Sequence, residues 1–383
     1  MRKFLLLAAL AATAATMAAQ DKCEATLTQD WKVTQSLPTA STAAQGFGYN
    51  GKFFINKKST QTIEIFDQNG KTDSTLVGGN NMAISYDDAG NILVSDATYT
   101  SPWSTTQPNL KIISADGTTV KQLTIATAAG EAAVKGRCDF MGKASGNLLS
   151  PEGGVLYLVG ASNKGVVRVP IANGTLNPAN VAEVPIEGLK VLINNTTVVN
   201  AYTTSLGLQR AIFANRFKSP VTLEYDGTSF AAKEVPVTGK SICNGAFAFA
   251  LGGYDLVAYP KLPNVTDGFS IAQIDSSNVV ATHDAECTRN PNSLQANWIN
   301  VQVINERTAR IYQYVPGAYI AQYTLTLTGS TPTGVEATRA AKTVASVTYY
   351  NLAGQPSPRP YNGLNLKVTT YTDGTRTTQK LLR

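Results

Sequence analysis

The sequence predicts an all-β chain, a β-propeller followed by a small C-terminal β-module. Three observations carry that reading. Short runs rich in Val, Ile, Tyr, Phe and Thr alternate with Gly, Asn, Asp and Ser turns over most of the chain. The runs recur as a loose unit at roughly 45–50 residue spacing, the range of four-stranded propeller blades. No segment sustains a helical period of apolar residues.

The chain opens with Arg2 and Lys3, then the apolar run "FLLLAALAATAA" and the small residues "TMAAQ". A short basic region, an apolar core and small residues are the pattern of a secretory signal peptide, expected over residues 1–19. The run is too short and too rich in alanine for a stable span, and no later stretch is long and apolar enough to cross a bilayer. Export to the periplasm, the outer surface or the extracellular space is therefore expected. Cys23 follows Asp21-Lys22, unlike a lipoprotein cleavage site.

Export bears on the four cysteines, Cys23, Cys138, Cys243 and Cys287. An oxidising compartment favours two bridges, with three connectivities left open. Four buried thiols are the alternative. No pair has the close spacing of a zinc site.

Residues 20–334 are expected to be the propeller. "GFGYNGKFFINKKSTQTIEIFDQNGK" gives the first unit, a strand, a turn, a second strand and a third ending near Asp-x-x-Gly. "MAISYDDAGNILVSDATY" and "NLKIISADGTTVKQL" give the second. "NLLSPEGGVLYLVGASNKGVVRVPIANGTL" gives the third, and "QRAIFANRFKSPVTLEYDGTSF" belongs to the fourth. "GAFAFALGGYDLVAYP" with "GFSIAQIDSSNVV" gives the fifth, and "WINVQVINERTARIYQYVPGAYIAQYTLTL" the sixth. Six units fill about residues 35–330; seven blades are the alternative count, and a β-sandwich the alternative fold. A four-stranded sheet cannot bury both faces alone, and blades packed around an axis do so while keeping edges short. The small residues of "GAFAFALGG" suit a crowded centre.

A composition shift ends the body. "TGSTPTGVEATRAAKT" is small, polar and basic, and reads as a linker. Residues 335–383 then form a strand-turn module, with Asp373-Gly374 as a tight hairpin. This tail carries seven Lys or Arg against two acids. Taking its +5 and the two bases of the signal from the total of +6 leaves residues 20–334 at −1. A nucleic-acid partner needs a basic footprint on the binding domain, so none is expected.

Two resemblances add to this. The tail, through "YYNLAGQ" (Tyr349–Gln355), "PYNGLNLKV" (Pro360–Val368) and "YTDGTRTTQKLLR" (Tyr371–Arg383), resembles the C-terminal sorting-type tails of secreted Bacteroidetes proteins. Gly354, Gly363 and Lys380 fit that pattern, and the long Asp-Gly hairpin departs from it. The resemblance implies either a type IX secretion signal or a retained β-module. The body, through "GFGYNGKFFINKKSTQTIEIFDQNGK" and "DDAGNILVSDATY", resembles six-bladed, NHL-like propellers of the domain-of-unknown-function type from the same bacteria. No settled activity comes with that likeness. "DST" at Asp73–Thr75 resembles the O-glycosylation site of those bacteria.

Candidate chemistry is sparse. "FDQNGK" and "YDDAGN" look like halves of a calcium loop, but neither has the closing bidentate Glu. Asp, Asn and Gly are also the residues of tight hairpins, so no cofactor is expected and calcium has no support. The single histidine, His283, lies in "ATHDAEC" with Asp284 and Glu286. On a strand His283 would face away from both acids, so the three converge only in a loop. These residues and Asp96 are the metal candidates. No G-x-S-x-G, H-E-x-x-H or P-loop is present.

Exposed aromatics are the better lead. "ATYTSPWSTTQPN" is the longest irregular insert, and Tyr99 and Trp103 in it suit sugar stacking or peptide docking, or else Trp103 covers a blade. Arg137, Arg210 and Arg216 begin or flank inner strands and could hold an anion at a central channel, or pair on the surface. The expected role is a monomeric recognition scaffold for a glycan, peptide or cell-surface protein. A propeller hydrolase or lyase acting on a polysaccharide or lactone, and a structural surface component, are the alternatives.

Overall fold

The computed structural model describes residues 22–38, 45–81, 83–96, 109–194, 196–215, 219–237, 245–260, 267–284, 297–329, 344–351, 354–361, 363–371 and 376–382, and the backbone of the short pair Tyr99–Thr100 and Ser104–Thr105. The chain divides into two compact units, Met1–Gly329 and Ser330–Arg383.

Within the first unit the described residues form six sheets of four or five strands, besides that short two-stranded pair. Sheet I is Gly46–Tyr49, Lys52–Lys57, Thr62–Asp67 and Gly70–Val77 in simple antiparallel order. Sheet II is Ile84–Tyr86, Ile92–Asp96, Asn109–Ile113 and Val120–Thr124. Sheet III runs from Ser145–Asn147 through Gly153–Leu158 to Val166–Ala172, whose far edge is shared by Thr175–Leu176 and Ala182–Val184. Sheet IV is Val198–Thr203, Gln209–Ala214, Val221–Tyr225 and Phe230–Glu234, with Ile186–Glu187 added in parallel at its outer edge. Sheet V is Phe247–Leu251, Tyr254–Pro260, Phe269–Gln273 and Val279–His283. Sheet VI takes three strands from the end of the unit, Trp298–Asn305, Thr308–Val315 and Tyr319–Leu327. Its fourth comes from the beginning, Ala25–Val33, paired antiparallel from Ala25↔Leu327 to Val33↔Ile320.

The sheets pack face to face in a closed ring. Strand alternation gives each sheet two apolar faces. Phe54 and Ile65 of sheet I meet Tyr86 and Val94 of sheet II, while Phe53 and Phe66 of sheet I meet Tyr312 and Tyr314 of sheet VI. The seams between II and III, III and IV, and IV and V each form their own apolar cluster. The seam of V with VI belongs to the same cluster as that of I with II. First strands of neighbouring sheets lie side by side, including the last against the first. This is a β-propeller, closed by the N-terminal strand.

The axis is filled by rings from opposite sides. Tyr86 of sheet II stacks on Phe47 at 4.7 Å and on Phe247 of sheet V at 6.4 Å between ring centroids. Phe140, in the connection entering sheet III, packs on Trp298 of sheet VI at 5.0 Å. Tyr86 is fully buried, its hydroxyl receiving Asn300 Nδ2 and donating to Val301 O. Close approach at the centre needs glycine: a Cβ on Gly48 would stand 2.0 Å from the Tyr312 ring.

The second unit is one antiparallel sheet, in the order Pro356–Ser357, Val344–Tyr350, Leu364–Tyr371, Arg376–Leu382. Its "NLAGQ" turn closes on Asn351, whose Oδ1 accepts Gln355 N–H at 3.0 Å, with Gly354 at φ +75°. Buried Asn365 holds the next turn by Tyr361 N–H at 2.7 Å and the carbonyls of Tyr361 and Gly363.

Cys23 is a buried free thiol, so none of the two-bridge connectivities expected from export is formed. Burial, and then the neighbouring Glu24 charge, pushes this thiol up to about 12. Cys138 is buried too, its Sγ 3.4 Å from Phe140 O and its thiol likewise raised to about 12, by burial first and Asp139 second. Cys243, Cys287, the signal segment, the linker after Gly329 and Asp373-Gly374 lie outside the described residues. Among the described residues no helix is long and apolar enough to cross a membrane.

Candidate functional site: the face of the long connections

Strand direction sends two kinds of connection to the two ends of the ring. One end carries hairpins and, on sheet VI, the two chain ends of the unit, where Thr328 N–H meets Glu24 O. The first and second strands of the sheets are joined there by residues 50–51, 87–91, 148–152, 204–208, 252–253 and 306–307. Third and fourth strands are joined by 68–69, 114–119, 173–174, 226–229 and 274–278. Among the described residues the other end is where strands leave for the next sheet: Val33, Val77, Thr124, Glu234 and His283 end there, Gly46, Ile84, Ser145, Phe247 and Trp298 begin there, and Asp96 and Asn109 flank residues 97–108 there. Irregular segments on a rigid scaffold are where binding residues concentrate.

The sequence opened a question about "ISYDDAGNILVSD", and the structure answers it. Asp87 is fully buried at the hairpin end. It accepts the N–H groups of Ala89, Asn91 and Leu148 and the Asn91 amide, at 2.8–3.0 Å. Burial pushes its carboxyl up despite these bonds. Asp88 takes Lys143 Nζ and the Gly146 N–H of sheet III. The two acids are a turn and a seam clasp.

At the opposite end, buried side-chain amides root the long connections. Gln45 Oε1 accepts the N–H of both Ile84 and Met141 at 3.2 Å, and its Nε2 donates to Met141 O at 2.6 Å, so one side chain ties three sheets. Asn56, at the end of the second strand of sheet I, accepts Gly79 N–H at 3.0 Å and donates to Gly79 O and Asn81 O. Asn163 accepts Lys135 and Gly160 N–H and donates to Ala133 O. Asn215 donates to Leu192 O at 2.5 Å and to Thr197 Oγ1 at 2.8 Å. A buried irregular backbone must find partners for its polar groups, and these amides supply them.

The densest polar cluster sits under this face between sheets V and VI. Asp267 is wholly buried; Tyr319 OH donates to its Oδ2 at 2.6 Å, and Asn297 and Gln313 donate to its backbone oxygen. Gln313 Oε1 lies 3.0 Å from Tyr323 OH, which stands 3.3 Å from His283 Nε2. Lys32 Nζ rests 4.1 Å from the centre of the Tyr319 ring.

His283 thus ends the outer strand of sheet V, its ring against Phe269 and Tyr323, while Asp284 turns to solvent. The alternation expected for a strand separates these two. Asp96 pairs with Lys111 at 2.7 Å and accepts Asn80 N–H at 2.8 Å, fixing the passage 78–83. Arg137 bonds Asp139 at 2.6 Å in the connection entering sheet III. Arg210 lies on the second strand of sheet IV, its Nη2 2.7 Å from Glu224 on the third. Tyr99 falls on a short backbone pair whose side chain is not described, and Trp103, Arg216 and Glu286 lie outside the described residues. Among the described residues no three His, Cys, Asp or Glu side chains converge. Asp267, Gln313, Tyr319 and the rooting amides carried no motif. Asn56, Asn215 and Gln313 share one signal, a polar residue at or near the end of a second strand, as in "FFIN", "AIFAN" and "IYQYV"; Gln45, Asn163, Asp267 and Tyr319 share none.

No protein-family model and no curated protein matches the chain. Several solved structures are similar to it. A Dyadobacter fermentans protein of unknown function shares 11% identity, over 79% of this chain and 99% of that one, with a TM-score of 0.47. A subtype N10 neuraminidase-like protein of A/little yellow-shouldered bat/Guatemala shares 10%, over 80% and 100%, with a TM-score of 0.48. A putative gluconolactonase shares 10%, over 81% and 95%, with a TM-score of 0.45.

Proposed function

We propose that this protein is an exported, monomeric propeller scaffold that recognises a glycan, peptide or protein partner on the face of the long connections. The observation that supports this is the division of labour between the two ends. Buried amides Gln45, Asn56, Asn163 and Asn215 root long connections on one face, whereas on the other face the strands of each sheet are joined by hairpins. The tail, on its resemblance, serves sorting or remains as a surface module, and the destination is the periplasm, outer surface or medium. No cofactor is part of this reading.

The filled axis favours one second reading, a structural component of the cell surface. The two differ in what they bind. The mature protein, residues 20–383, would be applied to glycan and peptide arrays, with a parallel metal-binding screen. Recognition predicts selective binding that weakens when Asp96→Ala frees the passage 78–83 beside the 97–108 insert. An array with no selective hit would leave the structural reading in possession, and turnover of a polysaccharide or lactone would point to the enzyme alternative.

A further inference from the structure

Sheets I to V are each completed by a hairpin, so their fourth strand is joined by a short turn to the strand it pairs with. Such a turn keeps a detached strand close to its partner. Sheet VI is different. Its outer strand, Ala25–Val33, comes from the other end of the unit and has no turn to return it to Tyr319–Leu327.

The hold on this strand is concentrated at its two ends. At the start Cys23 is buried. Its N–H donates to Gln273 Oε1 at 3.1 Å and its carbonyl accepts Asn278 Nδ2 at 3.2 Å, both from sheet V and its last hairpin. Glu24 O accepts Thr328 N–H at 2.9 Å. At the far end Val33 is buried, and Lys32 lies over the Tyr319 ring. Between them no residue from Glu24 to Lys32 is buried. Leu27 packs against the apolar cluster that holds Cys23, Tyr323 and Leu327, and Trp31 against the one that holds Tyr314 and Ile320. The ladder slips between Gln29 and Trp31, and there exposed Asp30 accepts Gln322 Nε2 and Thr324 Oγ1 at 2.8 Å. A bulge of this kind interrupts the pairing.

We infer that residues 23–33 are a latch, a segment that leaves sheet VI and reseats as one unit while the rest of the ring stays folded. Opening breaks a single interrupted ladder and the contacts of a few half-buried side chains, and it returns backbone freedom to the whole segment. Among the described residues every other outer strand must unmake a hairpin to do the same. The open latch uncovers the edge of Tyr319–Leu327 and lifts Lys32 from Tyr319, whose hydroxyl holds the buried Asp267. The movement thus reaches the polar cluster under the long-connection face, but it is independent of the recognition proposed there.

The Cys23 thiol reads the opening, because it is buried while the latch is seated. The mature protein would be treated with excess iodoacetamide at graded urea below its unfolding transition, and modification of Cys23 followed by peptide mass spectrometry. A latch predicts a Cys23 rate above that allowed by global unfolding and nearly independent of urea, since little surface is exposed. Hydrogen exchange should show residues 25–33 exchanging together, ahead of residues 308–315 in the same sheet. Asn278→Ala removes an anchor that lies outside the strand. It should raise the Cys23 rate about two- to tenfold and leave the global unfolding midpoint unchanged. The inference is overturned if Cys23 reacts with the urea dependence of global unfolding, if residues 25–33 exchange no earlier than 308–315, or if Asn278→Ala leaves the Cys23 rate as it was.

Discussion

The two ends of the ring solve one problem in different ways. Each must satisfy backbone polar groups where neighbouring sheets meet. On the hairpin face the solution is solvated or only part-buried, with turn N–H groups bonded to side chains of the neighbouring sheet. Asn50 N–H reaches Gln302 at 2.8 Å, Gly51 N–H reaches Tyr312 OH at 2.8 Å, and Asp88 bonds across to sheet III. On the long-connection face it is buried and neutral: Gln45, Asn56, Asn163 and Asn215 are buried amides that bond the backbone of the connections. A hairpin fixes itself through its turn residues. A long passage has no such grammar, so the scaffold holds its root and leaves its span free to vary. That is the arrangement a recognition surface needs, since the span can change without loss of the fold.

The largest expected effect lies between the two ends, on the axis that both depend on. Tyr86→Ala removes the ring stacked between Phe47 and Phe247 and the hydroxyl that accepts from Asn300 and donates to Val301 O. Truncating a buried aromatic costs about 3–5 kcal/mol, and equilibrium urea unfolding would read it as a lower midpoint with an unchanged slope. Trp298→Ala, which removes the partner of Phe140, is expected in the same range. A loss well under 1 kcal/mol for either would mean that the axis is not packed as described.

A pair of asparagines compares the faces directly. Asn56→Ala leaves Gly79 N–H and the Gly79 and Asn81 carbonyls without their buried partner. Unsatisfied buried groups cost about 1–3 kcal/mol, and the passage 78–83 should become the first site of limited proteolysis. Asn50→Gly, at an exposed tip where φ is +50° and glycine carries no backbone strain, should change stability by no more than about 0.5 kcal/mol. Equal effects would erase the distinction between the faces.

Much of the fold was legible in the sequence, because hairpin grammar is local. "NGK", "DDAGN", "LGGYD" and "YDG" mark turns by residues that tolerate positive φ or bond their own backbone, and their spacing gives the repeat. The ring's closure was not legible. "ATLTQDWKV" (Ala25–Val33) precedes the first unit and looks like an isolated strand; its partner, Tyr319–Leu327, lies at the far end of the unit, and strand alternation carries no information on pairing at that distance. The site was less legible still. His283 and Asp96 drew notice as ionisable residues, yet Asp96 is a root and His283 the outer end of a hydrogen-bonded cluster centred on Asp267 and Gln313. Buried amides look in sequence like any Asn or Gln, and only repetition near strand ends sets Asn56, Asn215 and Gln313 apart.

The smallest expected effect separates the faces by acid. Asp226, fully exposed at the rim of the hairpin face, accepts the N–H of Ser229 and of Thr228 and both hydroxyls, which lower its carboxyl from the usual 3.8 to about 2. Asp116 is lowered to about 2 in the same way, first by the Ser114 hydroxyl and then by Thr118. A carboxyl depressed in the folded state contributes stability above its unfolded value, and that contribution is lost as pH falls through the folded one. The window therefore runs from 3.8 down to about 2. Buried Asp87 and Asp255 are displaced upward, by desolvation first, so their linkage has the opposite sign and the total acid response does not isolate the rim. The difference between wild type and Asp226→Asn does. The variant should be slightly less stable at neutral pH and should converge with wild type as pH falls through the window, with hydrogen exchange at residues 226–229 following the same course. Asn56→Ala, which removes a side-chain amide that does not titrate from backbone partners that do not titrate either, should hold a constant deficit over that range. A deficit for Asn56→Ala that also closes in acid would mean that charge, and not the amide, secures the root of the long-connection face.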